Sequence, residues 1–258
     1  MTTHAIPSRA RPPARGFTEL VKVEAKLAWR VPVGLVLGVL VPVIFLVIFN
    51  AIPALKKPAT GSTLTLFAEY IPVLICLSLC LIALVGLPIP VVTNRQMGVL
   101  RRFSTTPAPP SWLLAAQVII NLALALIAIV ILVAGGALFF GVHLPSQWAG
   151  FAVSVLLATA TMFAIGLLIT AVAPSPPVAG VLGTVLLYPL LFFAGLWTPE
   201  QNLSPLLQHI GNYTPLGAAV QTMDAAMQGN FPAARPLLVM AAYAIVFGIA
   251  AIKLFRWE

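Results

Sequence analysis

Six stretches of the chain stay apolar for about 20 residues or more: 31–52, 70–93, 112–140, 148–173, 178–197 and 236–255. A helix rises ~1.5 Å per residue, so each stretch reaches across a hydrocarbon core of ~30 Å. Within these bounds there is no Asp, Glu, Arg or His, and the only lysine is Lys253, near the end of the last stretch. A water-facing surface would need more charge than this chain has. Only 8% of its 258 residues are charged, against about 25% in a soluble domain. In lipid a segment must satisfy its own backbone, and runs of this length do so as helices rather than as barrel strands. The expected fold is an all-α integral membrane protein with six transmembrane helices.

The segments between the runs set the orientation. Asn94–Pro107, reading NRQMGVLRRFSTTP, carries Arg95, Arg101 and Arg102 with no acidic residue nearby. An arginine at the bilayer centre costs roughly 2.5–3.5 kcal/mol or more, so this segment emerges into water. Basic residues favour the cytoplasmic side. With both termini inside, eleven of the fourteen Lys and Arg residues fall there, leaving Lys56, Lys57 and Arg235 outside. Residues 1–16 are expected to be a disordered cytoplasmic tail, with 17–258 forming the membrane domain.

Residues 17–30 predict an amphipathic helix in the headgroup plane. Phe17, Leu20, Val21, Leu27 and Ala28 gather on one side, and Glu19, Lys22, Lys26 and Arg30 on the other. Glu24 breaks the apolar stripe. Its carboxylate either reaches out to water or pairs with Arg95, Arg101 or Arg102. Between runs five and six, residues 203–213 and 215–227 each predict a short outer helix, divided near Thr214-Pro215. Pro42, Pro72, Pro88, Pro90 and Pro189 fall inside or at the ends of spans and are expected to kink them. The third run is longer than a bilayer requires, so it should tilt or end near Gly135-Gly136.

The chain lacks the residues of an engine. No Lys follows a Gly, so a phosphate loop of the GxxxxGK[ST] type is absent. No ionisable residue stands at mid-membrane depth, where ion-coupled transporters keep one. His4, His143 and His209 are scattered, and Cys76 and Cys80 have no accompanying ligands, so neither a metal site nor a catalytic constellation is expected. The net charge of +8 sits at the ends of apolar runs, which is an orientation signal rather than a nucleic-acid footprint. Mild polar residues within spans read first as interhelical hydrogen bonds. Among them Asn50, Ser78, Thr184 and Tyr188 are candidates for a substrate path. Gly180, Gly183 and Gly195 permit close helix contact, either within the chain or with another subunit.

Several of these residues carry a family likeness. The loop Asn94-Arg95-Gln96-Met97-Gly98-Val99-Leu100-Arg101-Arg102 with Pro107 beyond, the segment Phe192-Phe193-Ala194-Gly195-Leu196-Trp197-Thr198-Pro199 with Leu203, Pro205 and Leu206, and Thr214-Pro215-Leu216 occur in order. Together with the amphipathic helix they resemble the type-2 ABC exporter permeases, the group that includes antibiotic and daunorubicin-resistance permeases. Asn94 and Gln96 stand where that family often has acidic residues, and Thr214 where it often has asparagine.

The resemblance implies that two permeases, identical or related, pair with two copies of an ABC ATPase in a bacterial plasma membrane. ATP and Mg would be bound by the partner ATPase, and this chain would bind no cofactor. Arg95, Gly98, Leu100, Arg101, Arg102 and Phe103 would form the coupling loop, and Lys22, Glu24, Lys26 and Arg30 the interface helix. The cargo would be a hydrophobic or amphipathic drug. Export of a polysaccharide or lipid, and a membrane scaffold without transport, are the alternatives.

Overall fold

The computed structural model describes residues 14–30, 33–57, 65–98, 109, 111–198 and 203–255. Most of the expected tail, and Leu100, Arg101, Arg102 and Phe103 of the basic loop, lie outside the described residues. Helix α1 spans Ala14–Arg30, so it begins before the expected start at residue 17. Helix α2 covers residues 33–51. Then come α3 (Leu66–Gln96), α4 (Ser111–Phe140), α5 (Trp148–Val172) and α6 (Pro176–Phe193). The short helices α7 (Pro205–Asn212) and α8 (Pro215–Met227) follow, and α9 (Ala234–Leu254) closes the order. Five of these, α3, α4, α5, α6 and α9, are long and apolar enough to cross a membrane; α2 is a shorter apolar helix. No strand occurs among the described residues.

Helix α3 is the core of the bundle. Every residue from Ile71 to Cys80 is buried, and α2, α4, α5, α6 and α8 all pack on it. Helix α9 lies at the edge against α5, where the Thr161 hydroxyl donates to the Met240 carbonyl at 2.9 Å. Helix α1 packs along α4, with Phe17 edge-on to Trp112 at 5.4 Å. The break between the two short helices falls where the sequence predicts it. Thr214 caps α8, its hydroxyl accepting from the Gly217 N–H at 3.1 Å. Helix α8 is more deeply buried than a partly polar segment between spans suggests, with Leu216, Ala218, Ala219 and Met223 fully enclosed.

Prolines loosen two spans in a specific way. In α2 the residues Val36–Leu40 form a π-helical turn just ahead of Pro42. Pro42 has no N–H to offer the Gly38 carbonyl four residues back. The Ser78 hydroxyl of α3 donates to that carbonyl instead. In α3 the turn Leu81–Gly86 is likewise π-helical, and the Leu87 N–H reaches back to the Ile82 carbonyl at 2.9 Å. Pro88 follows without an N–H, so the helix has no donor for the Ala83 carbonyl at either the fourth or the fifth position. Gly166 of α5 and Gly183 of α6 press against this stretch. A Cβ on Gly166 would stand 2.0 Å from the Ala83 carbonyl oxygen, and one on Gly183 would stand 2.1 Å from that of Leu84. Such approaches suit Cα–H···O contacts between closely packed helices.

Helix α4 covers Ser111–Phe140, close to the expected 112–140, and of the two expected alternatives it does not end near Gly135-Gly136, because packing carries the helix across a glycine penalty of only about 1 kcal/mol per residue. One run boundary differs from expectation. Helix α3 extends beyond 70–93 at both ends and takes in Glu69 and Arg95. Thr65 caps its start by accepting from the Ala68 N–H. The glycines of α6 serve intrachain packing: Gly183 lies against α3, and a Cβ on Gly180 would meet the Ile89 side chain at 3.6 Å.

Candidate functional site

The helix directions bring Lys22, Lys26, Arg30, Arg95 and Lys253 to one end of the bundle and Lys56, Lys57 and Arg235 to the other. The basic end holds Arg95 and Gly98, the sequence-predicted coupling residues that lie among the described residues. Arg95 lies in the last turn of α3, half-buried, and does not hang in a loop. Its guanidinium donates to the Thr170 carbonyl at 3.2 Å and to the Ala173 carbonyl. These are carbonyls at the C-terminus of α5, which lack helical donors and carry the negative end of the helix dipole. Gln96 adds a bond from its amide nitrogen to the Pro174 carbonyl at 3.2 Å. The end of α3 is thus fastened to the link between α5 and α6. Just beyond, Gly98 turns the chain with φ at +68°, a conformation that costs other L-residues about 1–2 kcal/mol.

Glu24 is 8% exposed, so it does not reach out to water. Of its three expected ion-pair partners, Arg95 is committed to carbonyls, and Arg101 and Arg102 lie outside the described residues. The Glu24 carboxylate accepts from the Gln117 side-chain amide of α4. Asn121, one turn on, donates to the Gln117 main-chain carbonyl at 2.8 Å. Most of the apolar stripe of α1 therefore faces α4 rather than lipid, with Leu27 left exposed and Glu24 the most buried of the helix's described residues. Burial pushes the Glu24 carboxyl above the usual carboxylate range, and the Gln117 hydrogen bond offsets part of that rise. The other interface-helix residues, Lys22, Lys26 and Arg30, are exposed, and Lys22 pairs with Glu19 at 2.8 Å. Trp29, 76% exposed, leaves α1 with a second, outward apolar surface. Behind Glu24 lies a cavity of about 340 Å³ between α1, α2, α3 and α4.

The four path candidates do not converge. Ser78 is fully buried and committed to the Gly38 carbonyl; Asn50 is half-buried on α2. Thr184 and Tyr188 share the exposed face of α6, where Tyr188 stands 6.1 Å from Trp197. At the opposite end, a second cavity of about 270 Å³ is lined by Glu69, Tyr70, Gln208, Asp224 and Gln228. Bounding the second run at Tyr70 hid it, although the Thr65 cap signal before Glu69 was readable.

The family model described as ABC-2 type transporter matches residues 15–228. The chain belongs to the ABC-2 type transporter family. As an ABC-2 membrane domain it is a permease subunit and a multi-pass membrane protein, and ATP hydrolysis lies in a separate ATPase. The matched region takes in α1 to α8 and stops before α9. Within this ABC-2 permease, the Arg95 clamp and the Gly98 turn sit at one end of the same central helix. No curated protein matches the chain.

Proposed function

We propose that this ABC-2 permease pairs with a second permease copy and two ATPase copies to export a hydrophobic or amphipathic drug. The basic end faces the cytoplasm, as the distribution of Lys and Arg favours. Residues 98–103 are the coupling segment on which the ATPase pushes. The observation that carries this reading is the Arg95 clamp. A force applied after Gly98 enters α3, and through Arg95 and Gln96 it enters the α5–α6 link as well. Three spans then move as one unit, with α3 at the centre. The exposed face of α6, with Thr184 and Tyr188, suits a path shared with the second copy.

The test is reconstitution of the permease with its partner ABC ATPase, measuring dye efflux and ATP hydrolysis together. Gly98→Pro cannot adopt the observed φ and should abolish stimulated efflux while the permease still inserts and binds the ATPase. The double change Arg101→Glu, Arg102→Glu should do the same. Efflux at the unmodified rate in both variants, or transport without any ATPase, overturns the reading.

A further inference from the structure

The cavity behind Glu24 is chemically lopsided. Its walls are mostly aliphatic, with Leu35, Ile89 and Leu124 from three different helices, and among the described residues Glu24 is the one charged residue lining it. Its volume, about 340 Å³, falls in the ~300–1,000 Å³ range of small-molecule sites. Three polar side chains border it at more than nine-tenths burial: Glu24 and Gln117 at 8% exposure and Asn121 at 5%. Gln117 engages Oε2 of Glu24, and Oε1 has no hydrogen bond or ion pair from the described residues. The lysines and Arg30 of α1 point away on its exposed side. An amide alone compensates a buried carboxylate poorly, since burying a charge costs far more than burying a neutral polar group.

We infer that this cavity binds an amphipathic molecule bearing a protonated amine, its ammonium against Glu24 and its apolar body against Leu35, Ile89 and Leu124. The ammonium supplies the charge that the walls lack and the donors that Oε1 can accept. The site lies within one chain, apart from the exposed α6 face. It refines the export reading above by naming a cargo class, yet binding itself requires neither ATP nor a partner. The amine comes either from a free amphiphile or from a lipid headgroup.

The experiment uses the full chain in phosphatidylcholine nanodiscs without ATPase, so its failure leaves the export reading standing. Quenching of tryptophan fluorescence reads binding of 1-pyrenemethylammonium and of its neutral counterpart 1-pyrenemethanol, with empty nanodiscs as the partition control. The ammonium should bind saturably and at least tenfold more tightly than the alcohol. Glu24→Gln should erase that preference, and Leu124→Trp, which fills the cavity, should weaken both probes. Equal binding of the two probes to the unmodified chain overturns the inference; it is also the result expected if Arg101 or Arg102 already occupies Glu24. A preference retained in Glu24→Gln overturns it too. If Glu24→Gln loses its helical signal, Leu124→Trp decides, and undiminished ammonium binding there overturns the site. Displacement of the probe by added phosphatidylethanolamine assigns the site to a lipid amine, and undisturbed binding assigns it to a free one.

Discussion

The Cα of Gly166 on α5 rests against the main-chain carbonyl of Ala83 on α3, so closely that a Cβ there would lie 2.0 Å from the oxygen. Backbone cannot yield as a side-chain tip can. Gly166→Ala should therefore force α5 away from α3 and cost about 1–3 kcal/mol or more. Gly183→Ala should behave alike. Gly180→Ala, whose Cβ would make an ordinary 3.6 Å contact with Ile89, should be near neutral. Thermal denaturation of the purified variants, followed by size-exclusion chromatography, checks the order.

Arg95 acts as a two-pronged fork, reaching carbonyls of Thr170 and Ala173 at once. A lysine is a point donor and cannot reproduce that geometry. Arg95→Lys is expected to lower coupled efflux roughly as much as Arg95→Ala, each loss amounting to about 1.5–3 kcal/mol of charged hydrogen bonding at most. Insertion should be retained in both. Efflux close to that of the unmodified protein in Arg95→Lys would show that charge alone suffices.

Gln117→Leu leaves the Glu24 carboxylate buried without its amide donor. The expected cost is about 1–3 kcal/mol. Pairing it with Glu24→Leu should recover most of this, because removing both polar partners is far cheaper than orphaning one. A double-mutant cycle on thermal stability measures the coupling directly.

Glu24 also predicts a pH dependence. Its carboxyl is raised above the ordinary range, first by burial, so the folded chain holds this proton more tightly than the unfolded chain. The contribution to stability is complete below the ordinary carboxyl value and is lost as pH rises through the raised one. The groups bordering it from α3 and α4, Thr93, Asn94, Gln117 and Asn121, do not titrate, and the Glu19–Lys22 pair lies on the exposed side of α1. Hydrogen exchange of α1 amides should therefore quicken as pH is raised from acid toward neutrality, beyond the intrinsic base dependence. Glu24→Gln should remove that excess.

Ser78 and Tyr188 should separate cleanly. Ser78→Ala deprives the Gly38 carbonyl of its donor beside Pro42 and should cost about 0.6–2 kcal/mol of stability with an unchanged cargo profile. Tyr188→Ala, on the exposed α6 face, should leave stability nearly unchanged and alter which dyes are exported. Parallel melting and efflux measurements distinguish the two.

Much of the site was legible residue by residue. The break at Thr214-Pro215 and the glycine after the second span carry their own chemistry. Glu24 did not, because helical periodicity marks it as a violation of a stripe without saying that Gln117 stands opposite. Arg95 was readable as basic and near a membrane boundary, yet its acceptors lie about 75–78 positions away. Glu69 was hidden by a boundary drawn on hydropathy, which ends where charge begins although the helix goes on under its Thr65 cap.

By itself the chain's order of residues determined that its apolar segments are helices, where the polar segments between them fall, and that it carries no GxxxxGK[ST] phosphate loop. Those properties depend on local hydrophobicity, on backbone self-satisfaction in lipid and on the absence of a motif. Tertiary structure alone decided which helix is central and which polar groups meet. In a chain this apolar, hydrophobicity is nearly uniform around each span and cannot rank its faces. The choice falls to contacts between distant residues: a carbonyl with no donor ahead of a proline, a glycine that fits over it, and an amide that reaches a buried carboxylate.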